Sequence, residues 1–220
     1  MTPASIQTER PRRSIRMSLL LLLFFLLPSF LYAKIYQIPD DLKKEVEENF
    51  TRYKQNPDFL DARFELAMSY GYTGQILKGW TMLKTFPPTY SVEVIKKYEP
   101  LTAAENTEWK SHFKLAFGYY FAEKKADAKE QFLKVLELDP GHVWAMGFIA
   151  LIEGAEGHTD EGIAWCKKAL AIEPNATAIH FLIAEGYRRK KEYFAAFGHM
   201  LIVGRLATEE GITPPNEKTP

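Results

Sequence analysis

The sequence predicts an all-α fold, a solenoid of stacked antiparallel helix pairs, and three observations predict it. Two helical segments end alike 34 residues apart, at Asp139-Pro140 and Glu173-Pro174. The same shift carries Ala116 onto Ala150 and Ala184, and aligns LKVLELDPGH from Leu133 with KKALAIEPNA from Lys167. Within each unit, apolar residues recur at three- and four-residue spacing, the signature of a helix with one buried face. A unit this short cannot bury that face alone, so neighbouring units must stack.

The elements follow in order. Met17 to Ala33 is uncharged and apolar and follows Arg10, Arg12, Arg13 and Arg16. A basic flank, an apolar centre and a small final residue form the layout of an export signal, with Ala33 as the cleavage position. Two outcomes stand: cleavage, which releases a periplasmic or secreted chain, or retention as a single membrane anchor through residues 17–33. A spanning helix needs ~20 apolar residues. This run is shorter, and Pro28 interrupts it. No cysteine stands directly after it, so lipoprotein-type attachment is not indicated.

Residues 40–56 read as a capping half-repeat helix, with Asp40 as N-cap and an apolar stripe of Leu42, Val46, Phe50 and Tyr53. A degenerate repeat spans 57–86, with Leu66-Ala67, Tyr70, Gly79 and Leu83, and breaks at Phe86-Pro87-Pro88. An insertion at 87–108 disturbs the register, and Val92 to Tyr98 reads as a short helix ended by Glu99-Pro100. Three repeats follow, at 109–142, 143–176 and 177–210. The polar, proline-rich tail 211–220 reads as disordered.

The repeat 109–142 shows His112, Leu115-Ala116, Tyr119, Ala128, Phe132 and Pro140. The next shows Met146, Ile149-Ala150, Glu153, Gly162, Cys166, Ala169 and Pro174, and the last His180, Ile183-Ala184, Tyr187, Ala196, Met200 and Val203. This pattern resembles the tetratricopeptide repeat family, whose motif runs Trp-x2-Leu-Gly-x2-Tyr, then Ala-x3-Phe, then Pro. The resemblance covers roughly residues 57–207. It implies a right-handed superhelix, with close helix approach at the small residues and a concave face that binds partner peptides.

On the helix from Trp109, a second stripe of Phe113, Phe117, Tyr120 and Phe121 falls on a different face from His112 and Tyr119. The resemblance assigns that stripe to the concave groove. The matching positions are Phe64, Met68 and Tyr72 before it, then Trp144 and Leu151, then Phe181, Glu185, Arg188 and Arg189. Aromatic anchors of this kind suit a partner-binding groove. A competing reading has the insertion or the N-terminal helix fold back and bury the aromatics as core. Phe113 and Phe117 stand where co-chaperones of this family carry the lysine and asparagine that clamp a C-terminal carboxylate, which argues against that ligand.

Other functions find little footing. From Lys34 onward there are 24 basic and 27 acidic residues, without the basic patch that nucleic acid requires. The single cysteine, Cys166, rules out an internal disulfide and a thiolate zinc site. No catalytic, phosphate-binding or zinc motif is present, and no cofactor or metal is expected. His112 and His180 occupy helix-packing positions, while His142 and His158 fall in turns. Gly157-His158-Thr159-Asp160-Glu161 reads as a helix-capping turn. Asn49-Phe50-Thr51 and Asn175-Ala176-Thr177 fit glycosylation sequons. The sequence therefore points to a scaffold that binds another protein or peptide segment. An envelope complex is the natural setting if the chain is exported. A membrane-tethered subunit packed on an integral partner is the alternative, and a small-ligand binder or enzyme has the least support.

Overall fold

A computed structural model describes residues 37–103 and 108–209. The N-terminal apolar segment, the cleavage position at Ala33 and the tail 211–220 lie outside the described residues. Ten α-helices and no strands occur among those described. They are α1 (Asp40–Gln55), α2 (Leu60–Tyr72), α3 (Ile76–Leu83), α4 (Tyr90–Thr102), α5 (Trp109–Phe121), α6 (Lys125–Leu138), α7 (Val143–Ala155), α8 (Thr159–Ile172), α9 (Thr177–Arg189) and α10 (Tyr193–Glu209). No helix among the described residues is long and apolar enough to cross a membrane.

Helix pairs α2/α3, α5/α6, α7/α8 and α9/α10 each form one antiparallel hairpin, as the repeat predicts. The small residues do what their spacing implies. A Cβ on Gly79 would lie 2.7 Å from the carbonyl oxygen of Ala67, and one on Gly162 2.9 Å from that of Ala150. In these two pairs the second helix therefore crosses directly over the backbone of the first. The hairpins end where Asp139 and Glu173 leave helical geometry ahead of their prolines.

Two core clusters meet at α7. Phe148, Ile149 and Ile152 join the aromatic core of α2, α5 and α6, while Trp144, Met146 and Ala150 join the aliphatic core of α8 and α9. Ten of its thirteen residues are buried, so α7 presents apolar side chains in every direction. A helix apolar all round belongs inside a protein.

Several expectations need correction. Pro39 is the N-cap of α1, and Asp40 is its first helical residue, paired with Lys43 at 2.8 Å. The insertion helix runs from Tyr90 to Thr102, longer than Val92–Tyr98. Its buried stripe of Tyr90, Val94 and Tyr98 recurs every four residues and draws the first turn in. Pro100 is tolerated inside the last turn, where it removes one backbone donor. At the start of α8 no side chain caps the helix. His158 turns back instead, and its Nδ1 lies 3.0 Å from Glu153. Asn49 is buried and donates to the Glu65 carbonyl at 3.4 Å, which removes it as a glycan acceptor.

Candidate partner-binding surface

The predicted groove residues divide into two groups, and most are buried. Phe113 is 0% exposed, its ring centroid 5.4 Å from that of Phe132 and 5.6 Å from that of Phe148. Phe117 lies 4.7 Å from Phe148, and Phe132 stacks on Phe148 at 5.3 Å. These rings are the stacking interface between one repeat and the next, not an open concave surface. The physical reason is bulk: the small side chains of the motif let α6 come close, which leaves the phenylalanines to fill the space towards α7.

The rest of the stripe follows suit. Phe64 is covered by Phe86, Tyr90 and Tyr98 at 6.0–6.4 Å, so the insertion folds back over this position. Val94 and Ile95 of the same helix crowd Gly118 of α5, where a Cβ would meet them at 2.9 and 3.1 Å. Met68 and Tyr72 are buried, and the Tyr72 hydroxyl donates to Glu45 of α1. Trp144 is buried over Gly74, whose φ of +81° and contact with the indole leave no room for a side chain. Tyr120 and Phe121 are half-buried against Trp80, at 6.4 and 6.3 Å. Leu151 closes the same cleft, in which no water-sized space remains. Only Phe181, Arg188 and Arg189 of the predicted set are exposed.

Charge is organised around two carboxylates. Burial alone would push the Glu65 carboxyl up. Lys114 at 2.6 Å, with hydrogen bonds from Tyr98 and from Lys97 at 3.0 Å, overrides it and holds the group at about 2. This cluster fastens α2, α4 and α5 together. Glu185 is also held at about 2, by hydrogen bonds from Arg188 and Arg189. Arg188 donates to it twice at 2.7 Å, and Arg189 once at 3.0 Å and to the Gly154 carbonyl at 2.7 Å. Both guanidiniums are therefore engaged within the protein.

The open apolar surface lies on the last repeat, where the sequence pointed to Phe181 of α9 but to no residue of α10. Tyr193, Phe194, Phe197, Met200 and Leu201 of α10 are exposed, and Phe194 reaches 96%. Their counterparts 34 and 68 residues earlier show what these positions do. Asp160, the counterpart of Phe194, pairs with Lys190 of the following repeat at 2.5 Å. Ile163, the counterpart of Phe197, packs against Gly186 of the following helix, 2.8 Å from where a Cβ would stand. Lys129, one repeat earlier again, forms an ion pair with Glu153. On α9, Phe181 matches Gly147, which faces Ile179 in the first helix of the next repeat, and Phe113, which faces Phe148. Phe181, Phe194 and Phe197 thus occupy the positions that meet a next repeat. Aligning exterior positions as well as motif positions would have revealed this from the sequence.

Little here suggests chemistry. Burial pushes the Cys166 thiol up to about 12. The ring of His142 is buried, and its Nδ1 accepts the Ala145 N–H at 3.1 Å, capping α7. Burial pulls its pKa down to about 4. His112 meets Gln131 at 2.7 Å. His180 donates from Nε2 to the Pro174 carbonyl and sets its Nδ1 2.9 Å from that of His199. Among the described residues, ligand atoms of Glu153, Glu156 and His158 gather within 4.8 Å, but Glu153 is already held by Lys129 and His158.

Comparison with solved structures agrees with the architecture. A crystal structure of MamA superposes with a TM-score of 0.53 at 14% identity, covering 79% of this chain and 92% of that one. A second MamA structure gives 0.51 at 14% identity, covering 82% and 90%. No protein-family model matches the chain, and no curated protein matches it. The fold is a tetratricopeptide-type helix-pair solenoid.

Proposed function

We propose that this chain is a scaffold for protein–protein interaction that receives its partner on the open face of the last repeat. One observation carries the reading: Phe181, Phe194 and Phe197 occupy repeat-stacking positions and are exposed, with Phe194 at 96%. The end repeat of a solenoid ordinarily turns a polar face to water. Contiguous apolar patches beyond a few hundred Å² mark interaction sites. Among the described residues, α1 exposes mostly charged side chains, Lys43, Lys44, Glu47 and Glu48, with Phe50 as its one exposed ring.

Export is part of the proposal and rests on the arginines and the apolar run Met17 to Ala33. The scaffold would then work in an envelope complex, periplasmic or secreted if the run is removed. The membrane-tethered subunit is the second reading, favoured by the same open face, which suits an apolar helix of an integral partner.

The test compares full chains with and without Phe181→Glu and Phe197→Glu, cross-linked in envelope preparations. The scaffold reading expects the cross-linked species to disappear with the variant while its thermal midpoint is unchanged. Unchanged cross-linking would sink it. Alkaline washing separates the two settings: a full-length chain left in the membrane supports the tether, and a shortened soluble chain supports release.

A further inference from the structure

We propose that the open face is an interface between two copies of this chain, paired antiparallel through α10. The proposal rests on the scaffold reading and names the partner for its face. Area is the first argument. With ~200 Å² per fully exposed aromatic side chain, the exposed rings of α9 and α10 together with Met200 and Leu201 present several hundred Å². A standard interface needs ~800 Å² from each partner. A surface of this size fits a stable pair better than a lone side-chain contact.

Complementarity of the face with itself is the second argument. Phe194, Phe197 and Leu201 lie at i, i+3 and i+7 along one exposed stripe. Gly198, beside them, has nothing within 4 Å of its Cβ position, so it forms a notch in the stripe. Between Tyr193 and Leu206 the chain carries a single formal charge, Arg205, which is exposed. A two-fold axis midway between Gly198 and Leu201 seats Leu201 of each copy in the glycine notch of the other. It also sets Arg205 of each copy over the Phe194 ring of the other, an attractive cation–aromatic pairing. An isologous contact needs this reciprocity.

Rival occupants fit less well. An anionic bilayer would draw on free cations around the patch. Arg188 and Arg189 are instead engaged by Glu185, and Lys190 by Asp160 and Glu192, which leaves Lys191 and Arg205 as the exposed cations beside a stripe that is otherwise apolar. An acidic peptide meets the same objection.

The experiment mixes full chains carrying Gly198→Cys with full chains carrying Leu201→Cys under mild oxidation. The native Cys166 is buried and its thiol is pushed up, so it stays silent. The expected result is a disulfide-linked pair at least ~10-fold more abundant in the mixture than with Lys44→Cys on α1, and lost when Phe194→Glu is added. Sedimentation in mild detergent should give the mass of two copies. Cross-linking no better than the α1 control, or the mass of one copy, overturns the proposal. If one copy is found and Phe197→Glu still abolishes envelope cross-linking, the scaffold reading stands and the self-interface falls. Binding to anionic vesicles that is lost with Phe194→Glu, without disulfide pairs, assigns the face to lipid and overturns the proposal too.

Discussion

Phe113 and Phe181 hold the same repeat position, two repeats apart, and meet opposite fates. Phe113 is sealed between Phe132 and Phe148 with 0% exposure, whereas Phe181 is 53% exposed. The residue type and its helical spacing are identical, so neither decides whether the ring becomes core. The presence of a following repeat decides it. Aromatic positions in a stacked array are therefore interface positions by construction, and at the open end the interface is left for another molecule.

Truncating the two rings tests this most directly. Phe113→Ala should cost about 3–5 kcal/mol of unfolding free energy, the range for deleting a buried phenylalanine. Equilibrium denaturation would measure it, and a loss under ~1 kcal/mol would mean that the ring is not enclosed as described.

Acid should then act on the interior through two buried groups of opposite design. His142 is held neutral, with its pKa at about 4 instead of 6.5, because burial disfavours the imidazolium and a proton on Nδ1 would destroy the cap on α7. The unfolded chain takes up this proton first, so the contribution is complete above about pH 6.5 and disappears between there and about 4. Glu65 is held charged, with its carboxyl at about 2 instead of 4.5. Its contribution is complete above about 4.5 and disappears as pH falls towards 2. Each step is on the order of 3 kcal/mol at about 1.36 kcal/mol per unit. Stability measured against pH should fall in two stages. His142→Asn retains a capping acceptor and should remove the upper stage, and Glu65→Gln should diminish the lower, leaving the part that half-buried Glu185 contributes. A single stage in the native protein would contradict the assignment.

Gly74→Ala comes next, at about 1–3 kcal/mol, because the left-handed backbone and the Trp144 indole both oppose a side chain. A neutral thermal shift would show that the turn adjusts freely. Smallest is Phe181→Ala, which should change stability by no more than about 0.5 kcal/mol, as an exposed substitution does. A larger loss would place the ring within the folded core and erase the contrast with Phe113.

Much of this architecture was legible in the sequence. The 34-residue shift located the hairpins, and Ala116, Gly79 and Gly162 marked the close crossings, since a missing side chain has one straightforward use in a packed helix pair. The site was legible only in part. The stripe of Phe113 and Phe117 declares an apolar face, but periodicity is silent on whether water or another helix lies opposite. Phe64 depended on an insertion whose register no repeat could supply. Phe194 and Phe197 lie in a helix that is apolar on both sides, so helical periodicity alone does not separate its exposed half from its buried half, and only their alignment with Asp160 and Ile163 one repeat earlier marks them as positions that meet a next repeat.

The all-round burial of α7 bears on how the chain comes apart. Repeat arrays usually unfold in increments, because each unit touches only its neighbours. Here one helix belongs to both cores, with Phe148 in the first and Trp144 in the second. Neither core can open fully while the other keeps α7 in place. The amides of α7 should exchange with solvent only through global unfolding, and so should be the slowest to take up deuterium, while those at the outer end of α10 exchange through local opening. Locked at its centre, the array can meet a partner at its last hairpin without disturbing the fold behind it.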